Sequence, residues 1–349
     1  MKSALAPADI ARPEISDPLV QLDGVSKQFG RGTDLLERLT VNLGLQKPSQ
    51  QVKAVDDVSL SIRRGEVVGL VGESGCGKST LGRLVAGILR PSAGAVSWRG
   101  QKIDTLTPGQ KRHGSLKTQM VFQNPYASIN PRMPIEEIVG EAPRVHGIAP
   151  KGRAQYREFL DQLLLQAGLD PQLRDRYPHQ LSGGQRQRVV IARALAVNPD
   201  LLVCDEAVAA LDVSIQAQIL NLFMELREKL GLTYLFISHD LGVVEHLSDR
   251  VAIMYLGRIV EEGEVGDIFN QPNHPYTQAL LDEVPRIDTT RRTFGSLIGE
   301  LPSPLNPPRG CHFHPRCPHA FARCKSERPA LKPVVGGHRS ACHLNDVHA

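Results

Sequence analysis

Gly72-Glu73-Ser74-Gly75-Cys76-Gly77-Lys78-Ser79 fits the pattern G-x-x-x-x-G-K-[ST]. The apolar run Val67-Val68-Gly69-Leu70-Val71 precedes it and reads as a buried parallel strand. Leu81-Gly82-Arg83-Leu84-Val85-Ala86-Gly87-Ile88-Leu89 follows, with apolar residues at helical spacing. Strand, glycine-rich loop and helix form the context in which a backbone curls around phosphate. Glycines let the chain turn its N–H groups inward, and the helix N-terminus adds its positive end. The pattern predicts that Lys78 bridges the β- and γ-phosphates of a nucleoside triphosphate and that the Ser79 hydroxyl holds Mg²⁺. All nine residues from Gly72 to Thr80, with Glu73, Ser74, Gly75, Cys76 and Gly77 between, are expected at the nucleotide.

A second buried strand, Leu201-Leu202-Val203-Cys204, ends in Asp205-Glu206. Carboxylates at the C-terminal end of a parallel strand stand where ligands gather. Asp205 is placed for the Mg²⁺ shell. Glu206 is the natural general base for an attacking water. Two acids beyond one apolar strand exceed what capping a following helix requires.

Leu181-Ser182-Gly183-Gly184-Gln185, continued by Arg186-Gln187-Arg188, identifies the chain as resembling the ATP-binding cassette (ABC) ATPases, from about Leu19 to Thr290. In that family the signature opens a helix. The resemblance implies that Ser182, Gly183, Gly184 and Gln185 contact the γ-phosphate of ATP held by a second ATPase subunit, so that two chains close over two ATP. It also implies roles for further motifs. Gln123, in Val121-Phe122-Gln123-Asn124-Pro125, would sense Mg²⁺ and water and couple to a membrane partner. Ala210-Leu211-Asp212 would cross between the two ATP sites. His239, in Phe236-Ile237-Ser238-His239-Asp240, would contact the γ-phosphate. Phe29 would stack on adenine, although the stretch Arg31 to Gln51 intervenes before the next strand-like segment. Ala207-Val208 stands where many cassettes have Pro-Thr, which spares every nucleotide ligand.

Asn124-Pro125-Tyr126-Ala127-Ser128-Ile129-Asn130-Pro131-Arg132, Asp212-Val213-Ser214-Ile215-Gln216-Ala217-Gln218 and Asn273-His274-Pro275-Tyr276-Thr277 resemble the dipeptide and oligopeptide importer ATPases. Nickel, glutathione and other small-solute importers share much of this pattern. The resemblance implies a paralogous or identical ATPase partner, two transmembrane permeases and an extracytoplasmic substrate-binding protein. It places the chain peripherally on the cytoplasmic face of the inner membrane.

Cys311, Cys317, Cys324 and Cys342 lie in the C-terminal tail, among His312, His314, His319, His338 and His343. Their number permits disulfides, but an ATP-using chain without a secretory leader belongs in a reducing compartment. Four thiolates suit zinc, although paired C-x-x-C knuckles are missing. They also suit a [4Fe–4S] cluster, which the resemblance to peptide-importer ATPases implies. A tail without metal is the fourth reading. The tail is rich in proline and basic residues and poor in apolar ones, so a metal core would supply its order.

The 349 residues allow two or three units and, at 41% hydrophobic, an ample core; the resemblance implies an α/β fold of the ABC ATPase type. No segment reaches the roughly 18 consecutive apolar residues of a membrane span. The net charge of +4 is mild, aromatic content is 5%, and no basic run is interleaved with aromatics, so no nucleic-acid partner is expected. The expected organisation is a disordered lead over 1–18 and a nucleotide-binding domain over 19–285. That domain joins a P-loop core to an antiparallel β subdomain and a helical subdomain at about 135–180. A Cys-rich extension over 286–349 follows. A soluble cassette acting on ribosomes or DNA usually has two cassettes or a long coiled coil, and this chain has neither. A non-hydrolysing regulatory cassette conflicts with intact Lys78, Glu206 and His239.

Overall fold

The computed structural model describes residues 18–30, 51–283, 299–334 and 337–346. Most of the lead expected over 1–18, the intervening stretch over 31–50 and the start of the extension expected over 286–349 lie outside these residues.

Four strands make an antiparallel sheet: β1 (Val20–Phe29), β2 (Val52–Ile62), β4 (Ala93–Trp98) and β5 (Gln101–Lys102), in the order β2-β1-β4-β5. Strand β1 buries Val20, Leu22 and Val25, and β2 buries Val55, Val58, Leu60 and Ile62. The period of two slips by one residue in each strand. Register shifts between Leu22 and Val25 absorb the slip, with Gly24 and Asp57 at positive φ. One apolar face thus survives along both strands. It packs on Leu81, Leu84 and Val85 of the helix Lys78–Val85.

The second sheet runs β11-β12-β10-β9-β3-β8-β7-β6. Its centre is β3 (Val67–Val71), β8 (Thr233–Ser238) and β7 (Leu201–Asp205), every residue buried. Strands β6 (Thr118–Val121), β7, β8, β3 and β9 (Arg250–Tyr255) are parallel. Helices cover such a sheet on both faces, which is why its strands read as unbroken apolar runs. The helix Val213–Leu230 presents Phe223 edge-on to Tyr234 and Phe236, at ring distances of 5.7 and 6.0 Å. On the other edge, β10 (Arg258–Glu264) turns antiparallel to β9. The C-terminal residues then add β12 (Arg339–Ser340) and β11 (Lys332–Pro333) to that edge. Main-chain pairing therefore joins the tail to the central sheet.

Helices Ile135–Val145 and Arg153–Gln166 form a separate layer. Ile135, Ile138 and Val139 share a core with Leu160, Leu163 and Leu164 and with Val189 and Val190 of the helix Gly183–Leu195. An Asp161–Arg174 ion pair at 2.6 Å ties the second helix to the turn Pro171–Asp175.

Candidate functional site

The strand order brings the motifs together. β3, β8, β7 and β6 are neighbours in the sheet and parallel, so the residues after each emerge at one edge. The glycine loop follows β3, His239 follows β8, Asp205 and Glu206 end β7, and Gln123 follows β6. The loop residues Ser74 to Thr80, Gln123 and Glu206 line a cleft of about 340 Å³ with Val52, Lys53, Ala54, Leu256, Gly257 and Pro304, and His239 and Asp205 join it through their contacts with Glu206 and Ser79.

Glycine is required in the loop by close approach. A Cβ on Gly77 would lie 2.1 Å from the Ala54 carbonyl oxygen, and φ there is +111°. Gly72 passes equally near the Met254 carbonyl. Lys78 folds back over the loop, its Nζ donating to the carbonyls of Gly72 (2.6 Å) and Glu73 (2.9 Å). The Ser79 hydroxyl donates to Asp205 Oδ1 at 2.8 Å. Burial pushes the Asp205 carboxyl above the ordinary carboxylate range, and the Ser79 hydroxyl works against that push. Ser79 and Asp205, with the Gln123 amide nearby, offer hard oxygen donors of the kind that would hold Mg²⁺.

Glu206 sits at φ +50°, in the left-handed region. A non-glycine residue there carries strain of about 1 kcal/mol. Its N–H donates to the Ile237 carbonyl at 3.0 Å, which holds the turn. The strained turn ends the strand and directs the carboxylate into the cleft. Gln123 Nε2 donates to Glu206 Oε2 at 2.8 Å, and His239 Nδ1 lies 3.5 Å from Oε1. His239 is projected by two local caps. Asp240 N–H donates to the Ser238 hydroxyl, and Asp240 Oδ1 accepts from Gly242 and Val243 at the start of the helix Leu241–Leu247.

The signature lies apart from this cleft. Ser182 caps the helix Gly183–Leu195, with Gln185 N–H donating to its hydroxyl at 3.2 Å. Gln185 Oε1 accepts from Ser182 N–H at 3.0 Å. That capping box uses the serine as an acceptor and leaves its O–H as a donor. Ser182 and Gly183 are exposed, and none of the four signature residues lines the chain's own nucleotide cleft. Phe29 ends β1 opposite Val52, which does line the cleft. Its ring is 42% exposed beneath the Lys27 ammonium and is not among the lining residues.

The tail corrects the metal expectation. Among the described residues, no three Cys, His, Asp or Glu side chains form a group able to hold a metal ion, which overturns the [4Fe–4S] cluster on Cys311, Cys317, Cys324 and Cys342 and equally its zinc alternative. Burial pushes the Cys311 and Cys317 thiols upward and Cys342 to about 11. The neighbouring histidines have other partners. Ring nitrogens of His312, His314 and His343 meet the carbonyls of Leu256, Cys311 and Glu327, and His338 Nε2 lies 3.1 Å from Glu261 Oε1. Order comes from docking instead. Phe313 packs against Tyr255 and Tyr276 at ring distances of 5.3 and 5.4 Å, and Ala341 N–H donates to the Val260 carbonyl.

Three residues at the cleft or on the glycine loop escaped sequence reading. Pro304 lines it, Tyr276 OH accepts from the Glu73 N–H at 3.0 Å, and Arg316 binds the Glu73 carboxylate. Tyr276 and Arg316 lie in stretches already notable in the sequence, but no local spacing links either to the glycine loop.

Comparison with known proteins agrees with this geometry. The family model described as ABC transporter matches residues 55–209, and that for the oligopeptide/dipeptide transporter C-terminal region matches 260–324. The dipeptide transport ATP-binding protein DppF of Escherichia coli is 48% identical over 314 residues, 90% of this chain and 93% of that protein. The oligopeptide transport ATP-binding protein AppF of Bacillus subtilis is 48% identical over 316 residues, 89% of this chain and 95% of that protein. Among solved structures, cbiO1 of Clostridium perfringens, part of an ABC transporter complex, superposes with a TM-score of 0.61 at 27% identity, over 73% of this chain and 92% of that one. The dimeric cassette MJ0796 bound to ADP and Pi gives 0.60 at 28%, over 70% of this chain and 98% of that one. A P-loop, a strained acid and a signature helix in this strand order, with relatives alike over nearly their whole length, place the chain in one family: it belongs to the ABC transporter ATPases, in the oligopeptide/dipeptide transporter group.

Proposed function

We propose that this chain is the ATP-hydrolysing subunit that drives import of dipeptides or oligopeptides, with residues 19–285 as the nucleotide-binding unit and 286–349 as its extension. The observation that carries this reading is the Glu206 carboxylate, held between Gln123 and His239 and facing the glycine loop. Names of relatives that transport dipeptides and oligopeptides support the solute class.

In this reading the loop N–H groups from Gly72 to Thr80 bind the phosphates, Lys78 bridges the β- and γ-phosphates and Phe29 stacks on adenine. Mg²⁺ held by Ser79, Asp205 and Gln123 would neutralise charge on the β- and γ-oxygens. Glu206 orients a water and accepts its proton as the water oxygen bonds to the γ-phosphorus. The bond to the β-phosphate oxygen breaks, giving ADP and phosphate, and His239 holds the γ-phosphate oxygens. Ser182, Gly183, Gly184 and Gln185 of one subunit meet the γ-phosphate on the other. The exposed signature, remote from its own cleft, supports this division of labour.

Among the described residues no helix is long and apolar enough to cross a membrane. The transport path therefore belongs to partners in this reading: two permeases, served by an extracytoplasmic binding protein, with this chain and an identical or related ATPase on the cytoplasmic face. The test is purification from solubilised membranes, followed by ATPase assay in vesicles with and without dipeptide and binding protein. Permeases in the complex and peptide-stimulated phosphate release are expected. Recovery with ribosomes or DNA and no permease would sink the reading.

A further inference from the structure

Glu73 places a carboxylate in a loop built to hold the most anionic part of ATP. Left free, that charge, beside the lining residue Ser74 and only partly exposed, would repel a triphosphate held by the loop. Arg316, from the C-terminal extension, answers it. Its Nη1 donates to both Glu73 oxygens, at 2.8 and 3.1 Å, across 243 residues of sequence. The Arg316 side chain is only 5% exposed, and Glu73 is 24% exposed. The guanidinium stands over the Tyr255 ring at 6.0 Å, and Tyr255 packs on Tyr276 at 4.6 Å. The arginine is therefore held by the same aromatic cluster that docks the extension. Tyr276 takes the Glu73 N–H, and the Glu73 carbonyl takes a hydrogen bond from Lys78 Nζ. One residue thus connects the extension, the helix Pro275–Asp282 and the phosphate-binding lysine. A second contact is independent of the first: Pro304 of the extension lines the nucleotide cleft.

We infer that Arg316 is a positioning residue of the nucleotide site, acting through Glu73. It neutralises the carboxylate and draws it away from the phosphate cradle, so that the C-terminal extension sets the affinity for ATP. The inference rests on the nucleotide reading of the glycine loop proposed above. It makes the extension part of the ATP site, with no metal in its logic.

The test is equilibrium binding of a fluorescent ATP analogue with Mg²⁺ to the full-length chain. Arg316→Gln leaves Glu73 charged and uncompensated, and should weaken binding about tenfold. In the double variant Glu73→Gln/Arg316→Gln the repelling charge is gone, and the affinity should return to within about threefold of the parent. A purely structural role gives no such rescue, because the double variant lacks the same ion pair. Arg316→Gln affinity within about twofold of the parent, or a double variant no better than the single one, overturns the inference. If Arg316→Gln does not fold, Glu73→Asp carries the test. Its shorter arm withdraws the carboxylate from Arg316 and should weaken binding severalfold, and unchanged affinity refutes the coupling. Lys78→Ala is the control for the underlying reading: if it binds the analogue as the parent does, the loop is not the nucleotide site, whatever Arg316 does.

Discussion

Gln123 Nε2 donates to Glu206 Oε2 at 2.8 Å, joining the ends of two neighbouring parallel strands across the cleft. The bond fixes the carboxylate's rotation, and the left-handed backbone at Glu206 fixes its direction. Glu206→Gln keeps the shape and hydrogen-bonding capacity of the side chain but removes the proton acceptor. Phosphate release should fall about 10²- to 10⁴-fold while ATP still binds. Turnover close to that of the parent would remove Glu206 from the base role.

His239 stands 3.5 Å from the other Glu206 oxygen, with 54% of its side chain exposed. Its interaction with the γ-phosphate should strengthen as charge builds there in the transition state, so the loss belongs in kcat. His239→Ala should lower kcat about a hundredfold with KM for ATP changed far less. A variant that changes only KM would make His239 a binding residue.

Gly77 meets two constraints at once, a φ of +111° and a backbone oxygen 2.1 Å from where a Cβ would be. Gly75, at φ +81°, has no atom within 4 Å of that position. Gly77→Ala should lose about 2–3 kcal/mol of stability and most ATP affinity, whereas Gly75→Ala should lose about 1 kcal/mol. Thermal unfolding of the two variants side by side checks the order. Equal losses would mean that backbone strain, and not the Ala54 contact, governs both.

The nucleotide half of the site was legible because its physics is local. A loop that turns its N–H groups onto phosphate needs glycines within a few residues, and a buried parallel strand needs an apolar run; both are written in order along the chain. The tail was illegible for the opposite reason. Four cysteines and several histidines suggested a metal core, because nothing near them in sequence could order so apolar-poor a segment. The ordering contacts come from far away: Phe313 reaches Tyr255 and Tyr276, Arg316 reaches Glu73, and β12 pairs with β10. Composition registers the donors of a site, whereas only tertiary structure shows whether they converge. Two slips in the strand period near Gly24 and Asp57 were equally hidden, since a bulge resets the face without changing composition.

The junction between cassette and extension should be acid-sensitive through His274. Its Nδ1 accepts the Tyr276 N–H at 3.0 Å, so the ring must keep that lone pair unprotonated. Burial holds this imidazole down to about 4, from an ordinary 6.5. Around it lie the Phe313 ring, the backbone of Ala341 and the wholly buried Glu261, which accepts the His274 N–H at 3.0 Å and faces His338. Above pH 6.5 neither folded nor unfolded chain carries a proton on His274. Between 6.5 and 4 the unfolded chain takes one up and the folded chain does not. Stability therefore falls on acidification, by at most about 3 kcal/mol from this group. His274→Asn removes the titration while its side-chain oxygen can still cap the helix Pro275–Asp282. Urea unfolding at several pH values between 7 and 4.5 should show a flatter pH dependence in the variant, even though its stability at pH 7 is lower. The same slope in both proteins would shift the acid sensitivity to another buried pair, with Glu261 and His338 the first to test.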